Sequence, residues 1–206
     1  LFLVVLFVFN RYRIIQKQKD LIELKEQETL HANEMIASKQ KEILDSIAYA
    51  KRIQSAILPS FSDLEKQLPE HFLLYLPKDI VAGDFYWTET RDDKIYVAVA
   101  DSTGHGVPGA MVSLVCSNAL NRSFREFNQS SPGGILDKTR ELVVEYFTKK
   151  DSSVYDGMDI SLLCISKKDK MLYWSGANSP LWYIQDGQLQ VLKADKQPIG
   201  KAIYPK

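Results

Sequence analysis

The sequence predicts an α+β fold with largely antiparallel sheets, and three observations carry that reading. Residues 14–58 hold neither Gly nor Pro and are mostly Lys, Glu, Gln, Leu, Ile and Ala, a composition that suits one long helix. Beyond residue 70 the periodicity changes: short apolar runs alternate as strands do, and they flank two amphipathic stretches of helical period. Turn-forming sequences, Lys167-Lys-Asp-Lys170 and Gln185-Asp-Gly-Gln188, separate the later runs at hairpin spacing.

Composition narrows the classes of function. The chain has 206 residues, 45% hydrophobic and 25% charged, enough for one core of modest size and an appendage. Lys+Arg and Asp+Glu are both 26, and no basic face is interleaved with aromatics, so nucleic acid is not an expected partner. Cys116 and Cys164 lie inside apolar runs without CxxC or Cys/His spacing. They read as small buried hydrophobes in a reducing compartment, which argues against a zinc site or a disulfide framework.

Taken in order, residues 1–9 are wholly apolar and are followed at once by Asn10-Arg-Tyr-Arg13, with Lys17 and Lys19 close behind. A bilayer span needs roughly 20 residues. Residues 1–10 are therefore expected to be the end of a truncated transmembrane helix whose basic flank marks the cytoplasmic side, with a short core helix as the alternative. Residues 11–58 are the long helix. Ile15, Ile22, Thr29, Ile36, Ile43, Ala50 and Ile57 recur at strict sevens, one edge of a coiled-coil seam. The other edge holds Lys19, Glu26, Asn33 and Gln40 before Ile47, so a homodimeric coil and a solvated spacer both remain open. Pro59 ends the helix, residues 59–70 read as a linker, and residues 71–206 form the folded part.

Within it, residues 72–76 and 80–87 are expected as strands, the second broken by Gly83 beside Asp84, and residues 94–101 as the third. Helices are expected over 110–127 and 135–148, separated by the breaker Ser131-Pro-Gly-Gly134. Strands then resume at 158–166, 171–175, 181–185 and 188–192.

The most informative stretch is residues 95–109, an apolar strand running into Asp101 and a turn with Gly104, Gly106 and Gly109. Alternation puts Asp101 on the Val97/Val99 face at the strand's C-terminal end. Taken alone, such a residue is equally a turn cap or a ligand. Asp84 ends a second apolar run, Ile80-Val-Ala-Gly83, so two carboxylates stand at the margin of a core and need partners. Arg91, Lys94 or Lys78 offers a salt bridge; a hard divalent cation is the other answer, since carboxylates, a turn carbonyl and water are the oxygen set that magnesium or manganese takes.

Pro77-Lys-Asp-Ile-Val-Ala-Gly-Asp-Phe-Tyr86 and Val99-Ala-Asp-Ser-Thr-Gly-His-Gly-Val-Pro-Gly-Ala110 together resemble the first two motifs of the SpoIIE-like branch of PPM-type metal-dependent serine/threonine phosphatases. The similarity runs from about Ile47 to the end of the chain. It implies two antiparallel sheets packed as a sandwich and flanked by helices, and hydrolysis of phosphoserine or phosphothreonine with two Mn²⁺ or Mg²⁺ ions. On matching positions, Asp84 would ligate one ion, Asp101 would bridge both and the Ser102 carbonyl would complete a shell. His105, in the turn, would protonate the leaving alkoxide or hold a water, unless it is only a turn histidine bonded to backbone. The resemblance further implies a phosphorylated bacterial regulator as substrate, and the apolar start with its basic flank puts the expected location at the bacterial cytoplasmic membrane, with the phosphatase domain on the cytoplasmic side.

The family's later metal aspartates have no match after Leu192. Asp159, in Asp156-Gly-Met-Asp159, superficially resembles one of them but precedes the Asn-Ala-Gly-His-Pro-like region at residues 172–180, and is expected to be structural. Residues 71–206 are thus expected to be the N-terminal part of a phosphatase domain whose C-terminal part is missing, a fragment inactive by itself. The rival is a non-catalytic pseudophosphatase or dimerising module that binds a phosphoprotein. A nucleotide-binding loop at residues 102–109 is weak, because no Gly-Lys-Ser/Thr follows.

Overall fold

The computed structural model describes residues 2–148 and 155–201. The chain divides into two units, Leu1–Ser46 and Ile47–Lys206. Helix α1 (Phe2–Ile57) supplies the described residues of the first unit and opens the second. In the first unit the helix is exposed throughout and carries i,i+3 and i,i+4 ion pairs at Lys19–Glu23, Lys25–Glu28 and Lys39–Glu42. The heptad isoleucines Ile15, Ile22, Ile36 and Ile43 are exposed. Among the described residues, no helix is long and apolar enough to cross a membrane.

In the second unit α1 stops before Pro59, whose ring and missing N–H do not continue a helix. Residues 59–70, read as a linker, contain the short helix α2 (Phe61–Gln67), started by Ser60, whose Oγ accepts from Asp63 N at 3.2 Å. The main sheet has the order β1 (Phe85–Arg91), β2 (Lys94–Ser102), β3 (Gly157–Ser166) and β4 (Met171–Ala177), all antiparallel. After the hairpin of β5 (Leu181–Gln185) and β6 (Gln188–Leu192), the two-residue strand β7 (Ile199–Gly200) pairs with the start of β3. The β5–β6 turn holds Asp186 and Gly187 at φ 52° and 74°, the left-handed pair that a tight hairpin needs.

Helices α3 (Gly106–Arg125) and α4 (Pro132–Thr148) cover one face of this sheet. Tyr96, Ala98 and Ala100 of β2 point into that layer with Phe85 and Trp87 of β1 and Ile160, Leu162 and Cys164 of β3. They meet Cys116, Ala119, Leu120 and Phe124 of α3 and Ile135, Leu142 and Val143 of α4. Phe124 stacks edge-to-face on Trp87 and Tyr96, with centroids 5.7 and 4.9 Å apart, each pair contributing about 0.5–1.5 kcal/mol beyond its buried area. Burial pushes the Cys116 thiol up to about 12, in keeping with both cysteines being free and buried.

Several boundaries differ from expectation. Residues 72–76 form no helix or strand, so the predicted strand is absent. The run 80–87 becomes strand only at Phe85, because the Ala82 peptide is bonded to a side chain of α1 and Gly83 packs against the glycine turn. Helix α3 starts at Gly106 rather than residue 110, and β4 continues to Ala177. The expected sandwich is not formed among the described residues. The β5–β6 hairpin is exposed along almost its whole length, and Val99 on the sheet face away from the helices is 61% exposed.

Candidate functional site

The two acidic motifs meet where β1 begins and β2 ends. Phe85, the first residue of β1, pairs with Ala100, so Asp84, one residue before the strand, comes opposite Asp101 on β2, and their side chains are close enough to hydrogen-bond. Directly opposed residues of an antiparallel pair project from the same face. That face is the exposed one: Asp84 and Asp101 are both exposed, whereas Ala100 and Ser102 on either side of Asp101 are buried. The sequence placed the carboxylates at the margin of a core; they stand instead on the side of the sheet that the helices leave open.

Close backbone packing fixes this junction. A Cβ on Gly83 would stand 2.6 Å from Gly104 O, and one on Gly109 would stand 2.5 Å from the same oxygen, so only glycine permits the approach. Gly104 and Gly106 turn the chain at φ 88° and 60°. Between them and the first motif lies the Ser102 side chain, 2% exposed, whose Oγ donates to Gly83 O at 2.6 Å. On the next residue, Asp84 O accepts from Tyr75 Oη at 3.1 Å. One residue earlier, Ala82 is held at both its N–H and its carbonyl by Gln54, the one buried residue of α1, which also donates to Ser113 Oγ of α3 at 3.1 Å.

The carboxylates line a cleft of about 240 Å³ walled by Leu73, Tyr75, Tyr86, Val99 and Ser179. The Asp101 carboxyl is pushed above its ordinary value, first by partial burial and then by its hydrogen bond to and repulsion from Asp84. Burial, followed by Asp84 and Tyr86, pushes the Tyr75 phenol up as well. Among the described residues no ion pair includes Asp84 or Asp101. Two of the salt-bridge partners proposed from sequence go elsewhere: Arg91 donates to Gln129 O and Phe124 O, and Lys94 lies over the Tyr173 ring, while the third, Lys78, makes no ion pair with either carboxylate. Two mutually repelling carboxylates with no protein cation beside them fit part of a hard-cation site. They are two positions of one, since among the described residues no group of three or more His, Cys, Asp or Glu is placed to hold a metal.

His105 is not brought to the carboxylates. It stands at the N-cap of α3 without a capping bond, and its Nδ1 is 3.0 Å from Asp79 Oδ2. The two line a separate, mostly apolar cavity of about 670 Å³ with Ile47, Val81 and Val107. Asp159, expected to be structural, pairs with Asp101 across β2 and β3 and accepts from Asn178 Nδ2 at 2.8 Å. Asp84 just before β1, Asp101 on β2 and Asp159 on β3 thus follow one another across this end of the sheet.

The family model for Stage II sporulation protein E (SpoIIE) matches residues 91–202. The chain belongs to the SpoIIE family. The SiaA-PP2C domain of Pseudomonas aeruginosa is 33% identical and superposes with a TM-score of 0.71 over 80% of this chain. This chain spans 65% of that domain, a little under two thirds. A Stage II sporulation E family protein of Thermanaerovibrio acidaminovorans (18% identical, TM-score 0.44, 52% of this chain and 50% of that one) is a more distant likeness. So is the PP2C phosphatase domain of Bacillus subtilis SpoIIE (18%, 0.46, 58% and 34%). No curated protein matches. The family and the PPM-type domain expected from the two motifs are therefore established.

Within this SpoIIE-family domain the sequence reading missed Gln54, Tyr75 and Asp79. Gln54 carried a signal, a lone amide facing into the best-packed heptads of an otherwise charged helix. Tyr75 and Asp79 carried none, because their roles depend on contacts with residues 9 and 26 positions away.

Proposed function

We propose that the chain belongs to a protein serine/threonine phosphatase that hydrolyses phosphoserine or phosphothreonine on a bacterial signalling regulator. Membership of the SpoIIE family supports phosphatase chemistry, and the facing pair Asp84 and Asp101 is the single observation that carries its placement. Asp84 and Asp101 would hold divalent cations, Mn²⁺ or Mg²⁺, with the Ser102 carbonyl beside them. Two such ions, when bound, acidify a water and neutralise phosphoryl charge. The chain's own groups orient the site. Ser102 and Tyr75 pin the peptides on either side of Asp84, and Leu73, Val99 and Tyr86 line the cleft beside the two carboxylates. The apolar start of α1 followed by Arg11 and Arg13 supports a membrane-proximal position, with the domain on the cytoplasmic side. The exposed heptad isoleucines support pairing of α1 between two copies.

The test is Mn²⁺-dependent release of phosphate from a phosphoserine protein by the full-length protein, compared with Asp101→Asn. Loss of release in the variant supports the reading. Metal-independent or mutation-insensitive release refutes it, and phosphoprotein binding without turnover would instead establish a pseudophosphatase.

A further inference from the structure

The Ser102 hydroxyl lies on the opposite side of β2 from the Asp101 carboxylate. It is buried with the helices, while Asp101 faces the open cleft. Its single proton has two carbonyl acceptors in reach, Gly83 O at 2.6 Å and Gly109 O at 3.3 Å. The shorter contact takes it, and that contact is to the peptide that leads directly into Asp84. Gly83 also has no slack elsewhere: a Cβ there would stand 3.1 Å from Ser102 O and 3.3 Å from Ser102 Oγ. The chain before β1 thus approaches the end of β2 at one point, and the hydroxyl holds it there.

We infer that Ser102 is a positioning residue whose side chain, through Gly83, sets how closely the Asp84 carboxylate approaches that of Asp101, and therefore how well the pair holds a divalent cation. The backbone carbonyl of the same residue is a separate matter. The hydroxyl touches no ligand and acts only on the register of the two acidic residues. Groups that orient metal-binding side chains from behind typically change metal affinity by roughly 10- to 100-fold when removed. Without the hydroxyl, Gly83 O loses a buried donor, and the Asp84 peptide relaxes away from β2 under the repulsion between the two carboxylates.

This inference rests on the cation-binding reading of the Asp84–Asp101 pair. Its test is a titration of the metal-free chain with Mn²⁺ alone, following the free-ion signal by electron paramagnetic resonance, for the unmodified chain, Ser102→Ala, Ser102→Cys, Asp101→Asn and Ser123→Ala. Ser123 is a fully buried hydroxyl that donates to Ile135 O at 2.8 Å between α3 and α4, so it reports loss of stability without touching the junction. The expected result is Mn²⁺ affinity abolished by Asp101→Asn, lowered roughly 10- to 100-fold by Ser102→Ala and less by Ser102→Cys, and unchanged by Ser123→Ala. Unchanged affinity in Ser102→Ala, or an equal loss in Ser123→Ala, overturns the positioning role while leaving the cation site intact. Binding that Asp101→Asn does not weaken removes the cation reading and this inference together.

Discussion

Both ends of the Gln54 carboxamide are spent on the Ala82 peptide: Nε2 donates to its carbonyl at 2.6 Å, and Oε1 accepts from its N–H at 3.1 Å. A side chain on the last turns of α1 thereby takes the place of a strand partner for the residue two positions before Asp84.

Gln54→Leu leaves the Ala82 N–H and carbonyl buried without partners, at about 1–3 kcal/mol for each unsatisfied group. The expected outcome is a lower denaturation midpoint in urea together with faster amide exchange at residues 82–84. An unchanged midpoint with unchanged exchange would show that the clamp is dispensable.

Asp93, in the β1–β2 turn, accepts from Ser166 Oγ at 3.0 Å and from Lys168 N at 3.2 Å, and so ties that turn to the β3–β4 turn. These bonds, the Ser166 one foremost, hold its carboxyl below its ordinary 3.8. A carboxyl depressed in the folded state stabilises above its unfolded value, and that stabilisation is lost as pH falls from there through the folded value. Ser166→Ala is therefore expected to lower stability at neutral pH and to flatten the acid limb of the stability curve below about pH 4. Parallel curves for the two proteins would rule out the linkage.

The two faces of β2 differ in what they tolerate. Ala98 and Ala100 are 1% and 2% exposed beneath the helices, whereas Val99 between them is 61% exposed. Ala100→Leu overpacks that layer and is expected to destabilise the chain by about 1–3 kcal/mol. Val99→Thr is expected to stay within about 0.5 kcal/mol of the parent. Urea unfolding of both variants checks the assignment, which fails if the order is reversed.

How much was legible follows from which contacts are local. The helix at 14–58, the glycine turn, α3, α4 and the hairpins were read correctly to within a few residues, because period, breakers and turn chemistry act over short spans. The strand at 72–76 was misread: an apolar run closed by Pro77 suits a strand, but a strand also needs ladder partners, and this segment makes none. Alternation put Asp101 on the Val97/Val99 face of β2, but which face the helices cover depends on long-range packing, and they lie over the face of Tyr96, Ala98 and Ala100.

Most of the helices and strands, the two acidic motifs and the family are written in contiguous residues and are readable from the chain alone. The fold was needed to see that Asp84 and Asp101 face each other on the open side of the sheet. It alone showed that His105 belongs with Asp79 in another cavity, and that Gln54, Tyr75 and Ser102 hold the first motif in place. Those facts depend on which strand ends meet and which buried polar groups find partners, and hydrogen bonds linking residues 54, 75 and 102 to the 82–84 peptides are set by the folded chain rather than by spacing along it.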